Sequence, residues 1–314
     1  MEQFLPSVLK FSEGATIYVA DNASDDDSIL FLKRKYPEVV IIRNILNGGY
    51  AKGYNEALKE IDADIYCLLN NDVEVTSNWL DPILNEFRSD TKTAIIQPKI
   101  LDFKNKAKFE YAGAAGGYLD KYGYAFCRGR LFDTIEKDRG QYDEACQIFW
   151  ASGACLFIRS NTFRKLEGFD ESYFAHFEEI DLCWRAYNKN LKTKYVPNST
   201  IYHLGGASLN KANPKKTYLN FRNSLFTLTK NAHGMLFGTI FLRLTLDGIA
   251  ALRFLFQLKF AHFFAIIRAH ISYYLNLPEL LIKRKKNPKR SNYFRVNSIV
   301  WSYFIEKKQK FTEL

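Results

Sequence analysis

Short apolar runs alternate with amphipathic segments through the first part of the chain. Residues 4–11 read as the end of a helix, and residues 15–20 as an apolar strand closed by Asp21-Asn22-Ala23-Ser24. Helical spacing over residues 28–36 is followed by the strand Val39-Val40-Ile41-Ile42. After the turn Asn47-Gly48-Gly49, residues 50–61 read as a helix and residues 64–69 as a further strand, closed by Asn70-Asn71-Asp72. Strand, helix, strand, helix, strand at such short intervals predicts an α/β domain whose mostly parallel sheet is flanked by helices. Ligands of such sheets bind beyond the carboxyl ends of the strands, where Asp21 and Asp72 both fall.

The middle of the chain is less regular. Residues 95–100 predict a strand that Pro98 marks as an edge. Residues 112–130 interleave glycines with tyrosines and read as hairpins and loops forming an acceptor-side wall. An apolar stretch over residues 147–159 is split by Ser152-Gly153, which predicts a strand with a close backbone approach at Gly153. Residues 178–188 have clear helical spacing, residues 193–196 and 200–202 read as short strands around Pro197, and residues 218–230 as another helix. This body, residues 1–234, is taken as one domain.

Beyond Gly234 the texture changes. Residues 236–282 are rich in Leu, Ile and Phe but interrupted by Arg243, Asp247, Arg253, Lys259 and Arg268. No uncharged run approaches the ~20 residues needed to span a bilayer. These are amphipathic helices, followed by Lys283-Arg284-Lys285-Lys286 and Lys289-Arg290, a segment suited to anionic headgroups. Residues 235–314 are therefore read as a helical, basic extension that lies on an anionic membrane surface, with a homodimer interface as the competing use.

Charge sharpens this division. Of 44 Lys/Arg and 34 Asp/Glu, residues 235–314 hold fourteen and four, so the net charge of +10 belongs entirely to the extension. A neutral body argues against a nucleic-acid partner. Five cysteines, none in Cys-x-x-Cys spacing, read as buried free thiols of a reducing compartment. The amino terminus carries Glu2 and Gln3 and is not read as a signal peptide, and the protein is expected in the cytoplasm.

Several segments carry candidate chemistry. Asp72 ends a buried strand beside two asparagines, where a carboxylate can hold a divalent ion and leave positions open for phosphate oxygens. Asp21, with Asn22 and Ser24, stands at an equivalent rim, or caps the following helix. In Asn47-Gly48-Gly49-Tyr50-Ala51-Lys52-Gly53-Tyr54-Asn55 the glycines permit close approach to a helix amino terminus, which favours anions. Glu178, Glu179 and Asp181 crowd three carboxylates into the start of a helix, and mutual repulsion can raise one pKa to suit a general base. His203 follows a short strand and precedes Leu204-Gly205-Gly206. Arg222 could clamp phosphate or pair with an acid.

Together these segments resemble the family 2 glycosyltransferases, in particular the rhamnosyltransferase-like members of bacterial polysaccharide synthesis. The resemblance rests on Val19-Ala20-Asp21-Asn22-Ala23-Ser24-Asp25-Asp26-Asp27-Ser28, the 47–55 segment, Leu69-Asn70-Asn71-Asp72-Val73 and Ser152-Gly153-Ala154. It continues through Gly168-Phe169-Asp170-Glu171, Phe177-Glu178-Glu179-Ile180-Asp181-Leu182-Cys183-Trp184-Arg185, and His203 with Gly205-Gly206-Ala207-Ser208. The set runs in the family's order over residues 1–230.

The resemblance implies a GT-A-type fold and an inverting transfer of sugar from a nucleoside-diphosphate-sugar to a hydroxyl of a glycan or polyprenyl-linked acceptor. It implies that Asp21, Asn22, Ser24, Asn47, Gly49, Tyr50, Gly53, Asn55, Asn71 and Arg222 line the donor pocket. It implies that Asp72 and His203 hold Mn²⁺ or Mg²⁺, and that Glu179 deprotonates the acceptor, with Asp181 and Glu178 as the other candidates. A peripheral location on the inner face of the bacterial cell membrane goes with this reading. The chain departs from the family at Asn70, where an aspartate is common, and at Glu178-Glu179, where Glu-Asp is common. The family also opens on an apolar strand, whereas this chain opens within a helix. The native protein is therefore expected to begin some 15 to 20 residues earlier, by analogy with one strand and one turn of a doubly wound sheet. Competing readings are a nucleotide-sugar binder with little turnover and a membrane-associated structural adaptor.

Overall fold

The computed structural model describes residues 1–205 and 213–314; Gly206, Ala207 and Ser208 of the family-like segment lie outside the described residues. Helix α1 (Leu5–Phe11) leads to strand β1 (Tyr18–Asp21), α2 (Ser28–Lys35), β2 (Val40–Arg43), α3 (Gly49–Leu58) and β3 (Ile65–Leu69). This is the order that the apolar periodicity predicts. Strand β4 (Val73–Val75), α4 (Asp81–Ser89) and the long β5 (Thr93–Asp102) follow. Residues 112–130, expected as hairpins and loops, belong to an antiparallel ribbon of β6 (Gly117–Leu119), β7 (Ala125–Cys127), β8 (Arg130–Leu131) and β9 (Thr134–Ile135). The chain returns through β10 (Cys146–Ile148), β11 (Cys155–Arg159), α5 (Ser160–Lys165), α6 (Glu178–Asn188) and β12 (Lys192–His203). Four helices close it: α7 (Pro214–Asn231), α8 (Leu236–Phe256), α9 (Phe260–Lys286) and α10 (Ile299–Phe304).

The expectation of a mostly parallel sheet is wrong. The central sheet runs β10-β12-β5-β11-β3, with β4 also on β12, and only β12 and β5 are parallel. Strand β11 enters between β3 and β5 antiparallel to both, and β10 and β4 are antiparallel to β12. The physical reason lies in the connections. Strands β5 and β12 are each entered from a helix and run parallel, whereas β4, β10 and β11 are each entered through a turn or loop, which allows reversal. Parallel β1 and β2 form a separate two-stranded sheet.

Pro98 also sits differently from expectation. It is in the middle of β5, between two neighbours, and its partner Val196 marks a register shift of β12 that carries the pairing from Val196 to Thr200. A bulge tolerates a proline that the ladder would not. The two short strands expected around Pro197 are accordingly one irregular strand. The stretch over residues 147–159 is instead two strands, β10 and β11, separated by Phe149–Ala154.

The carboxyl-terminal residues share the body's core rather than hanging from it. Ile240, Tyr273, Leu280 and Tyr293 are buried in the cluster that contains Trp184, Leu225 and Phe226. Fully buried Asp247 pairs with buried Arg243 at 2.9 Å and accepts from Tyr124 Oη at 2.6 Å. Asp120, also fully buried, accepts the backbone N–H of Tyr122, Tyr124 and Ile299. The polybasic cluster is only half free. Lys283 pairs with Asp170 at 3.0 Å, and Arg284 donates to the carbonyls of Thr229 and Ala232 at the end of α7, leaving Lys285 and Lys286 exposed.

All five cysteines are free. Cys127, Cys155 and Cys183 are buried as expected; Cys67 is not, because β3 carries it on an exposed face at the cleft, and Cys146 is partly covered.

Candidate active site

A cleft of about 2010 Å³ opens along the carboxyl ends of β1 and β3. Asp21, Asn22, Ser24, Asn47, Gly49, Tyr50, Gly53, Asn71, Asp72, Glu178, Glu179 and His203 all line it. Most of the residues singled out in the sequence therefore meet in one place. Asn55, Asp181 and Arg222 do not line it, and each is occupied elsewhere.

On the side nearest β1, Asp21 ends the strand, is 5% exposed, accepts from Ser24 N–H at 3.1 Å and pairs with Arg43 at 3.3 Å. The Asn22 amide donates to Asn47 Oδ1 and to the Gly49 carbonyl, each at 3.0 Å. Asn44, not foreseen from the sequence, ties this loop to the Gly53 carbonyl at 3.1 Å. Gly49 has φ +76°, and a Cβ there would stand 2.1 Å from the Phe174 carbonyl oxygen, so only glycine fits. That carbonyl accepts from Tyr50 N–H at 2.9 Å, which joins the start of α3 to the loop before α6. Asn55 braces the Phe169 turn instead, exchanging bonds of 2.8 and 2.9 Å with its backbone.

Opposite these residues, strand register brings Asp72 and His203 together. Strand β4 begins just after Asp72, and antiparallel β12 pairs His203 with Val73. His203 Nε2 lies 3.1 Å from Asp72 Oδ1, with the Asn70 side-chain amide 3.5 Å from the same nitrogen. A third carboxylate, Glu110, faces the other ring nitrogen, Oε1 to Nδ1 at 3.4 Å. Burial alone would lower the His203 pKa, but the two flanking carboxylates raise it to about 9. Asp72, partly desolvated, is nevertheless held below its usual range by the imidazole. Glu110 carries no sequence signal, since it follows Phe109 in a loop and acquires meaning only beside His203.

The third element is the start of α6. His176 and Phe177 both adopt left-handed backbone, with φ of 68° and 74°. A non-glycine residue in that region costs of order 1–3 kcal/mol, and the surroundings must hold it. Fully buried Asn223 of α7 does so, its amide donating to the carbonyls of Ala175 at 2.9 Å and His176 at 2.7 Å. The turn delivers Glu178 and Glu179 to the cleft, each with a buried oxygen lacking a hydrogen-bond partner. Burial pushes the Glu179 pKa up to about 7, and burial together with Glu179 pushes Glu178 well above the carboxylate range. His176, also on the cleft, is lowered to about 4 by burial and by Lys216.

Asp181 has a different environment. It is fully buried, pairs with Lys230 at 2.9 Å and Arg185 at 2.8 Å, and accepts from Asn231 at 2.7 Å. Burial would raise its pKa, yet Lys230 and Arg185 hold it below the usual value. Arg222 is spent on the Ser172 carbonyl at 3.1 Å and Asn223 Oδ1 at 2.8 Å. The cationic side chains that do line the cleft there are Lys215 and Lys216, which begin the same helix.

A parallel two-stranded sheet, a mostly antiparallel central sheet and carboxylates lining one cleft describe a glycosyltransferase-like α/β fold. Residues 1–164 match the family profile of Glycosyl transferase family 2, and the chain belongs to that family. It is 26% identical over 219 residues to the N-acetylglucosaminyl-diphospho-decaprenol L-rhamnosyltransferase of Mycobacterium tuberculosis, covering 65% of this chain and 71% of that one. It is 25% identical over 214 residues to the rhamnosyltransferase WbbL of Escherichia coli, covering 65% and 78%. Among solved structures, GalNAc-T7 with UDP, GalNAc and Mn²⁺ shares the fold at TM-score 0.56 and 15% identity, over 73% of this chain and 44% of that one. The mannosyltransferase PcManGT from Pyrobaculum calidifontis, in complex with GDP-Man and Mn²⁺, matches at TM-score 0.50 and 12% identity, over 91% and 83%. The protein is a glycosyltransferase with rhamnosyltransferase-like relatives. No helix among the described residues is long and apolar enough to cross a membrane.

Proposed function

We propose that the chain transfers a sugar from a nucleoside-diphosphate-sugar to a hydroxyl of a glycan or polyprenyl-linked acceptor, inverting the anomeric centre in a single displacement. The observation that carries this reading is that half-buried Glu179, with one carboxyl oxygen buried and lacking a hydrogen-bond partner, lines the same cleft as Asp72 and His203. A carboxyl with a pKa near 7 is half-ionised at neutral pH and can take a proton from an acceptor hydroxyl. The hydroxyl oxygen forms the new bond to the anomeric carbon while the bond from that carbon to the diphosphate oxygen breaks, and the electron pair leaves with the nucleoside diphosphate. Asp181, held ionised by Lys230 and Arg185 and turned away from the cleft, serves as a structural anion. The donor side falls to Asp21, Asn22, Ser24, Asn47, Gly49, Tyr50, Gly53 and Asn71.

Asp72 and His203 fit a divalent ion by their chemistry, one carboxylate oxygen and one imidazole nitrogen facing each other in the lining of the cleft. There is no cluster of three or more protein ligands among the described residues, and the donor's phosphate oxygens would complete the shell of a bound ion. When bound, Mn²⁺ or Mg²⁺ supplies positive charge to the departing diphosphate.

The extension supports a lipid-linked acceptor. Phe237, Phe241, Ile249, Leu252 and Phe256 form an exposed stripe on α8, and Phe264, Ile267, Ile271 and Leu275 another on α9. Exposed Lys259, Arg268, Lys285 and Lys286 accompany them. Apolar stripes accompanied by cations match an anionic bilayer surface, and the proposed location is the inner face of the cell membrane. The test is release of free nucleoside diphosphate from a panel of sugar donors, with and without a polyprenyl-linked acceptor. Acceptor-stimulated release supports the transferase; its absence with every donor refutes it.

A further inference from the structure

Glu110 belongs to no segment that marks the family, yet it faces His203 from behind. Two neighbouring strands and the segment returning beside them bring this about. His203 ends β12, Asp102 of β5 pairs with it on one side, and the Glu110 backbone returns along β5 through a bond to Ile100 O at 3.0 Å. Glu110 is 5% exposed, and one of its oxygens, Oε2, accepts the N–H of Ala112. The other, Oε1, is left for the imidazole at 3.4 Å, a distance long for a hydrogen bond and suited to one that tightens on ligation. Gly205, at φ +63°, passes so near that a Cβ there would stand 3.1 Å from Oε1, which encloses the carboxylate on its free side.

We propose that Glu110 is the positioning residue of the metal centre: it holds the His203 ring through Nδ1 and so presents Nε2 on the side of Asp72. This inference rests on the reading of Asp72 and His203 as metal ligands. A histidine ligand keeps its tautomer and ring angle only when its second nitrogen has a fixed partner, and a carboxylate is the strongest such partner. In this geometry Asp72 and Glu110 address opposite nitrogens of one ring, so Glu110 acts on the ion through His203.

The test is Mn²⁺ binding to the full chain in the presence of UDP, GDP or dTDP, followed by the electron paramagnetic resonance of free Mn²⁺. Glu110→Ala should weaken Mn²⁺ binding about 10–100-fold, the usual effect of removing such a partner. Nucleotide binding without metal should be unchanged, and Glu110→Gln, which keeps an oxygen acceptor at the same place, should recover most of the affinity. Wild-type affinity in Glu110→Ala, alongside lost binding in Asp72→Ala, overturns the positioning role and leaves the metal site standing. Equal losses in Glu110→Ala and Glu110→Gln make the charge itself the requirement and also overturn it. No Mn²⁺ binding by the unaltered protein with any of the nucleotides removes the metal reading and this inference with it.

Discussion

His203 Nε2 and Asp72 Oδ1 stand 3.1 Å apart in the lining of the cleft, joined by strand register and not by sequence proximity. The pair has a definite pH signature. The His203 pKa rises in the folded protein from about 6.5 to about 9, so its contribution to stability is fully present below pH 6.5 and is lost as pH rises towards 9. His203→Gln should therefore lower the melting temperature most near pH 6 and least near pH 10. A deficit independent of pH would show that the imidazole's charge is not what the fold uses.

Glu179 behaves in the opposite sense. Its folded pKa of about 7 lies above the ordinary 4.5, so ionising it opposes folding, and stability falls as pH rises from 4.5 through 7. Glu179→Gln should melt with wild type near pH 4 and above it near pH 8. A lower melting temperature at pH 8 would mean the carboxylate is stabilised by a partner in the folded state.

Asp181→Asn should act on stability first. Its carboxylate compensates buried Lys230 and largely buried Arg185, and breaking such a pair typically costs about 3–5 kcal/mol. A drop in the urea midpoint should accompany any loss of activity. An unaltered midpoint with activity abolished would restore Asp181 as the base.

For the extension, Phe256→Ser with Leu258→Ser removes two exposed apolar groups at the tip between α8 and α9. Burying each is worth about 1.5–3 kcal/mol, so sedimentation with phosphatidylglycerol vesicles should weaken by more than tenfold. Unchanged vesicle binding together with a shift from dimer to monomer would assign the stripes to self-association.

The sequence made the local order legible and left the pairing hidden. Periodicity located the elements from α1 to β3 because each apolar run is short and cleanly bounded. Strand direction depends on partners far away in the chain, so β11 between β3 and β5 and the bulge that accommodates Pro98 left no local trace. The candidate site divided in the same way. Asp72, His203 and Glu179 stood in recognisable segments, whereas Glu110 depends on a residue far along the chain. Asn223 matters through two carbonyls of the His176 turn, and Asn55 and Arg222, expected among the donor contacts, hold the Phe169 and Ser172 carbonyls and do not line the cleft.

The account turns on Glu179 as the proton acceptor. Its most direct test is the single-turnover transfer rate of Glu179→Gln at saturating donor, with Mn²⁺, at pH 8, beside the unaltered protein. The account predicts a rate lower by about 10²–10⁴-fold with donor affinity nearly intact. It also predicts that the wild-type rate rises with pH through about 7 and then levels. A Glu179→Gln enzyme that transfers sugar at the wild-type rate would contradict it.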